Sequence, residues 1–268
     1  MTRGAKAEVP DNPAEIYEKV AVPAIFQEWS YWVVDQLGLS PGEAVLDVAC
    51  GTGVVARECL AKVGPAGKVI GLDLSDDMLA VALRLHPEIE WRQGDAATLP
   101  FGDTAFDAVV CQFGLTSFSD RVAALQEMWR VLAPGGKLMV TVWWGSIDDV
   151  PAYAALAKLA ERHRGPDASD AVKTIFTLAS SDELTGMFRT AGMDEVRIST
   201  RYGTERFASL ETFVAVLVKG YPPLAALFDE PGYLALLDEA KSELAFGCTD
   251  DGRFEIESPA HVITVRKL

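Results

Sequence analysis

Residues 45–56 read VLDVACGTGVVA. The run from Ala44 to Ala49 is apolar and rich in β-branched side chains, has strand length, and is interrupted only by Asp47. It reads as a buried parallel strand. Gly51-Thr52-Gly53 follows at once, a turn in which backbone can come close to a ligand, and Val54 to Val63 continues at helical spacing. Strand, glycine turn and helix together make a cofactor cradle, although a lone Gly-x-Gly is also an ordinary strand-to-helix turn.

Outward from this stretch the same alternation repeats. Lys68 to Leu72 is a second strand ending on Asp73, and Ser75 caps a helix with Asp76 and Asp77 in its first turn. Glu88 to Gln93 is a third strand, ending in Gly94-Asp95, and Phe106 to Cys111 a fourth. A helix over 120–132 closes at Ala133-Pro134-Gly135-Gly136, and Lys137 to Trp144 is the fifth strand. Such alternation predicts an α/β fold, a parallel sheet covered by helices on both faces, with ligands at the carboxyl ends of its strands. Before the first strand, apolar residues from Ile16 to Leu37 have helical spacing and predict two helices joined near Pro23; residues 1–12 read as a loose arm. After Trp144 the rhythm changes to helices, then a sixth strand over Glu195 to Tyr202, more helices broken by Pro222-Pro223 and Pro231-Gly232, and a last strand over His261 to Val265.

Lys and Arg total 24 against 39 Asp and Glu, a net charge of −15, with no basic run. That balance repels phosphate backbones and anionic membrane surfaces, so neither nucleic acid nor membrane is expected as a partner. No apolar stretch approaches bilayer length, and the first fifteen residues lack the apolar core of a secretion signal; a cytoplasmic protein is expected. Cys50, Cys59, Cys111 and Cys248 have neither Cys-x-x-Cys spacing nor a nearby His, so no metal is expected and all four read as buried thiols.

Gly51-Thr52-Gly53-Val54-Val55-Ala56 also satisfies a dinucleotide fingerprint, with Asp73 where a ribose acid would stand, so a nicotinamide-dependent oxidoreductase has to be weighed. Charge argues against it. Asp47, Asp73 and Asp95 cluster at the strand ends, and the nearest basic residue is Arg57, one turn into the helix. A pyrophosphate is poorly served there, whereas S-adenosylmethionine, with a sulfonium and an ammonium against one carboxylate, suits an acidic pocket. In that reading the amides around Gly51 and Gly53 take the methionine part, Asp73 the ribose hydroxyls and Asp95 the adenine amino group.

VLDVACGTG, GLDLSDDML, GDAATLPF, FDAVVCQFGL and LAPGGKLMV, in this order and spacing, resemble the class I S-adenosylmethionine-dependent methyltransferases, in particular the ubiquinone/menaquinone-biosynthesis-type (methyltransferase type 11-like) branch of small-molecule enzymes. The resemblance covers about residues 41–144. It implies a Rossmann-like sheet in the order 3-2-1-4-5-7-6 with strand 7 antiparallel. It also assigns Asp47, Ala49, Gly51 and Gly53 to the first motif, Asp73 to the ribose, Leu74 and Met78 to the flanks of the adenine, Asp95 and Ala96 to the adenine motif, and Gln112 to the methionine. The activity implied is methyl transfer to a small molecule.

The expected organisation is one domain over 1–268: lid helices over 12–38, a core over 41–144, and insertions over 145–179 and 205–255 forming a helical cap. Tyr17, Trp29, Phe113, Trp143 and Trp144 are candidates for the substrate pocket, with Trp32, Phe118, Phe213 and Tyr221 as further aromatic lining, which suits a small apolar or aromatic acceptor. Methyl transfer is an in-line displacement that needs alignment and exclusion of water more than a base. No catalytic residue stands out; His261 is a candidate if an antiparallel last strand begins at the ligand end, with Tyr17 and Tyr202 behind it. His86 and His163 read as surface residues. CQFGL lacks the Asn/Asp-Pro-Pro-Tyr/Phe signature of nucleobase or amide nitrogen methylation. A non-catalytic S-adenosylmethionine-binding scaffold is the remaining alternative.

Overall fold

Burial of the β-branched runs read above produces a seven-stranded sheet in the computed structural model, which describes residues 12–178 and 180–268. The expected arm falls almost wholly on residues 1–11, outside the described residues. The strands are β1 (Ala44–Val48), β2 (Lys68–Asp73), β3 (Glu90–Gln93), β4 (Phe106–Gln112), β5 (Leu132–Trp143), β6 (Arg197–Phe207) and β7 (Phe254–Arg266), in the order β3-β2-β1-β4-β5-β7-β6. β1 to β5 pair in parallel, and β7 runs antiparallel to both β5 and β6. This is the strand order and direction that the motifs implied.

The principal helices are α1 (Gln27–Leu37), α2 (Val54–Val63), α3 (Asp76–Leu85), α4 (Arg121–Val131), α5 (Pro151–Arg164), α6 (Pro166–Lys173), α7 (Ser181–Thr190), α8 (Leu210–Val218) and α9 (Glu230–Glu243). Two apolar cores result. One contains the N-terminal helix, α2, α5, α6, α8 and α9 with the inner residues of β1, β4 and β7; the other contains α4, α7 and the opposite face of the strands. The 145–178 and 205–255 segments thus share a core with the N-terminal helix.

The structure differs from the sequence reading at several points. The expected break at Pro23 does not occur. Pro13–Leu37 is one continuous helical run whose middle, Tyr17–Phe26, widens to π-type turns, and the Gln27 amide reaches back to the Val22 carbonyl. A wider turn accommodates a proline that can neither donate nor fit an ordinary α-turn. β6 continues to Phe207 and β7 begins at Phe254, well before His261. Ser258-Pro259 looks like a strand stop, but β5 ends at the Trp143↔Ala260 pair, so Pro259 lies beyond β5 and its missing donor leaves no gap in that ladder. Cys50, Cys59 and Cys111 are buried as expected, whereas Cys248 is exposed. His86 follows α3 and meets Glu88, while His163, expected to be solvated, is half-buried against the Glu239 carboxylate at 3.2 Å.

Candidate active site

At the carboxyl ends of β1, β2 and β4 lies a cavity of about 530 Å³. Its floor is made by two sharp backbone reversals. Ala49 and Phe113 follow β1 and β4 with φ of 58° and 59°, a left-handed conformation that non-glycine residues seldom hold without support from their surroundings. Phe113 is supported by Thr141, whose carbonyl and hydroxyl both accept from the Phe113 amide. Gly51 has φ of 55° and lies under Tyr17; a Cβ there would come within 3.2 Å of the Tyr17 ring.

Both oxygens of Asp73 are held by main chain: Oδ2 accepts from the Gly51 amide at 2.8 Å and Oδ1 from the Ser75 amide at 2.9 Å. Asp95 accepts from the Ala97 amide at 2.9 Å. These carboxylates are the charged groups among the described lining residues, which include no Lys, Arg or His. Gln112 donates through Nε2 to the Phe26 carbonyl at 3.3 Å, and its buried Oε1 has no hydrogen-bond partner. That oxygen is ready to accept from a ligand.

The N-terminal helix roofs this end. Tyr17 stacks on Phe26, and Glu18 accepts from the Thr52 hydroxyl and meets the Arg57 guanidinium at 3.2 Å, while Arg57 also donates to the Thr52 carbonyl. Burial, together with the Asp73 and Asp47 carboxylates, pushes the Tyr17 phenol far up, so it stays protonated. Burial likewise raises the Cys50 thiol, and Cys111 to about 12, which removes them as nucleophiles.

Of the cofactor candidates, Ala49, Gly51, Asp73, Leu74, Met78, Asp95, Ala96 and Gln112 line the cavity; Asp47 and Gly53 do not. Asp47 is buried in β1 and accepts from the Ala56 amide at 3.0 Å, pinning the first turn of α2. Burial raises its carboxyl to about 8, with the Ala56 bond opposing and Asp73 adding to the rise. Gly53, at φ 89°, is packed beneath Trp91, where a Cβ would be 2.2 Å from the indole. The Gly51 and Gly53 amides are committed to Asp73 and to the Cys50 carbonyl, so they do not offer the donors expected for a methionine carboxylate.

Tyr17, Phe113 and Trp143 line the cavity; Trp29 and Trp144 do not. Trp29 is buried one layer behind, edge-on to Phe113 and Trp143, which stack on each other with centroids 4.0 Å apart. Trp144 faces a different groove beside Tyr202, because consecutive residues at a strand end point to opposite faces. His261 shares that side: it is buried mid-strand opposite Val142 and Thr200, with Nδ1 3.1 Å from the Thr200 hydroxyl, and does not line the cavity. Phe118 and Tyr221 line the cavity, whereas Phe213 is core. Sequence reasoning missed Phe26, Tyr153, Ile175 and Val216 as lining, residues whose apolar periodicity marked them only as helix interior.

Among the described residues no helix is long and apolar enough to cross a membrane, and no group of three or more His, Cys, Asp or Glu could hold a metal.

A 3-2-1-4-5-7-6 sheet with an acidic cavity at the strand ends defines a Rossmann-like fold of the class I methyltransferase type. The chain belongs to the ubiE/COQ5 methyltransferase family, whose model matches residues 15–148. It is 42% identical over 150 residues to the demethylmenaquinone methyltransferase of Renibacterium salmoninarum, a match covering 52% of this chain and 62% of that one. It is 28% identical over 242 residues to the ubiquinone/menaquinone biosynthesis C-methyltransferase UbiE of an Enterobacter species, covering 81% and 93%. The matches to the first four curated relatives span 46% to 62% of their length. In fold the chain is similar to phosphoethanolamine N-methyltransferase 2 of Haemonchus contortus, solved with S-adenosyl-L-methionine, at a TM-score of 0.61 and 18% identity, over 98% of this chain and 59% of that one.

Proposed function

We propose that this protein is an S-adenosylmethionine-dependent methyltransferase acting on a small, largely apolar aromatic acceptor of the quinol type. The carrying observation is the lining of the cavity, in which two carboxylates without a basic partner occupy one end and stacked aromatic rings the other. An acidic end favours a cofactor of net positive charge and disfavours a pyrophosphate. The quinone chemistry comes from the names of the relatives, a demethylmenaquinone methyltransferase and a ubiquinone/menaquinone biosynthesis C-methyltransferase.

The residues present fit the cofactor. Asp73, fixed through both oxygens, keeps free lone pairs that would accept from two ribose hydroxyls; Asp95, beside Ala96, would take the adenine amino group; and the unpartnered Gln112 Oε1 would accept from the ammonium. Leu74 is 70% exposed at the mouth, an apolar surface that a flat adenine would cover, with Met78 on the other flank. Asp47 and Gly53 would act from behind, by holding the turn. When bound, the cofactor supplies a methyl group on a sulfonium, a good leaving group. The lid over 12–38 would exclude water, and Phe113 and Trp143 would hold a flat acceptor for in-line transfer, under a cap formed by 145–178 and 205–255.

Calorimetry with S-adenosylmethionine and S-adenosylhomocysteine, followed by methyl transfer to chemically reduced naphthoquinones, tests the proposal. Binding of both in the micromolar range and a methylated quinol are expected. Absence of binding to either would sink it.

A further inference from the structure

Where the cavity wall meets the cap, Tyr153 of α5 turns its hydroxyl away from solvent and onto Glu205 of β6, 3.0 Å from Oε2. Glu205 is 1% exposed, has no cation within ion-pairing distance among the described residues, and takes its second bond from the Ser258 hydroxyl of β7 at 2.6 Å. Tyr153 is itself buried, edge-on to Phe176 and Phe213. A carboxyl enclosed in an apolar core without a cation is costly, and an apolar side chain of similar size would fill the space more stably. The cavity next to it gives it a use.

We infer that Tyr153 and Glu205 form a proton relay for the acceptor, with Tyr153 the catalytic residue in contact with it and Glu205 the terminal proton acceptor acting through Tyr153. This rests on the methyltransferase reading above and adds to it the group that removes a proton from a hydroxyl-bearing acceptor. In the step, the acceptor O–H bond breaks and its electron pair stays on the acceptor. Its proton passes to Tyr153 Oη as the Tyr153 proton passes to Glu205 Oε2. The acceptor's pair, on oxygen or delivered through the conjugated ring to carbon, forms the bond to the methyl carbon, and the carbon–sulfur pair remains on sulfur. One proton moves from acceptor to Glu205, and no external base is consumed.

The groups acting on Glu205 are the Ser258 and Tyr153 hydroxyls, and Glu205 is in turn the charged neighbour acting on Tyr153. Burial raises Glu205 to about 7, against the two hydroxyl bonds that lower it, while it and burial hold the Tyr153 phenol protonated. The carboxylate is therefore the form that can receive a proton, and turnover should rise as pH passes upward through neutrality.

The test is the pH profile of kcat for anaerobic methyl transfer to reduced 1,4-naphthoquinone, in wild type, Glu205→Gln, Tyr153→Phe and Ser258→Ala, with S-adenosylhomocysteine binding measured alongside. An independent readout is difference infrared titration of carboxyl groups in the cofactor-free protein. Wild type should show an ascending limb near 7 and a carboxyl titrating there. Glu205→Gln should lose both and about 10²-fold in kcat with cofactor binding kept, and Tyr153→Phe should match its kcat loss. Ser258→Ala keeps the carboxyl but removes a bond to its charged form, so its limb should move to higher pH. A limb that survives in Glu205→Gln, or a kcat within about twofold of wild type in that variant, overturns the relay. Should the two principal variants fail to fold, an unmoved limb in Ser258→Ala overturns it instead. Wild-type protein that binds no S-adenosylhomocysteine overturns the methyltransferase reading, an outcome separate from a bound but unrelayed enzyme.

Discussion

The two ends of the cavity are built by different means. At the acidic end the functional groups are fixed by main chain: Asp73 by two amides, Asp95 by one, Ala49 and Gly51 by their own backbone conformation. At the aromatic end the wall is side chains against side chains, with Phe113 stacked on Trp143, Trp29 behind them and Tyr153 among rings of the cap. Main-chain fixation leaves little room for variation in the ligand, because moving a carboxylate means moving a strand end. Side-chain packing can be recut by a single substitution. On the proposed reading, cofactor identity is held by main chain at the ends of β1 and β2, and acceptor identity by packed side chains, those of Phe113 and Trp143 at the ends of β4 and β5 and of Tyr153 from the cap.

The sharpest way to break this division is Asp73→Ala. It frees the Gly51 and Ser75 amides and removes charge-assisted bonds worth about 1.5–3 kcal/mol each, so affinity for S-adenosylhomocysteine should fall about 100-fold or more, by calorimetry. An unchanged affinity would mean that the acidic end is not the cofactor's. Phe113→Ala attacks the other end. Losing a stacked aromatic contact of about 0.5–1.5 kcal/mol plus its apolar area should raise the acceptor KM roughly tenfold while cofactor affinity stays within about threefold. Equal losses on both ligands would erase the division.

Smaller effects should come from the seam between the ends. Glu18→Gln weakens the tie of the N-terminal helix to Thr52 and Arg57, a partly buried pair worth about 1 kcal/mol, so S-adenosylhomocysteine should dissociate about fivefold faster in stopped-flow measurements. The Asp47 carboxyl rises in the folded protein from an ordinary 3.8 to about 8. Between those values the native state binds a proton that the unfolded chain has released, so this group's contribution to stability falls as pH rises across that window. Asp47→Asn should flatten the decline of Tm over that range by a few degrees, measured by scanning calorimetry; a steeper decline would contradict it.

Much of the acidic end was legible because its signals are local. A β-branched run, a glycine turn and an acid at each strand end lie within a few residues of one another, and β1, β2 and β4 fall within a residue or two of where the sequence puts them. The aromatic end was less so, because its neighbours are distant in the chain. Tyr153 meets Glu205 across 52 residues, and nothing near either residue announces the other. Trp143 and Trp144 were assigned to one pocket, though strand alternation separates them. The sequence reading starts the last strand at His261 and ends the sixth at Tyr202, and the pairing that carries β7 back to Phe254 is with the part of β6 that runs on to Phe207.

Trp91 of β3 couples positions that the chain keeps apart. Its indole donates to the His86 carbonyl and lies against both Gly53 and Gly71, where added Cβ atoms would stand 2.2 and 2.3 Å from the ring. The two glycines are therefore constrained differently: Gly71 by the tryptophan, Gly53 by the tryptophan and by its own backbone conformation. Replacing Trp91 by a smaller apolar residue should make alanine better tolerated at 71, where Cys50 Sγ at 3.0 Å is the remaining close neighbour, than at 53, where the φ of 89° strains any side chain even in open space. A substitution history in which 71 varies alongside 91 is the pattern this ring imposes, and a glycine kept at 53 is the pattern its backbone imposes.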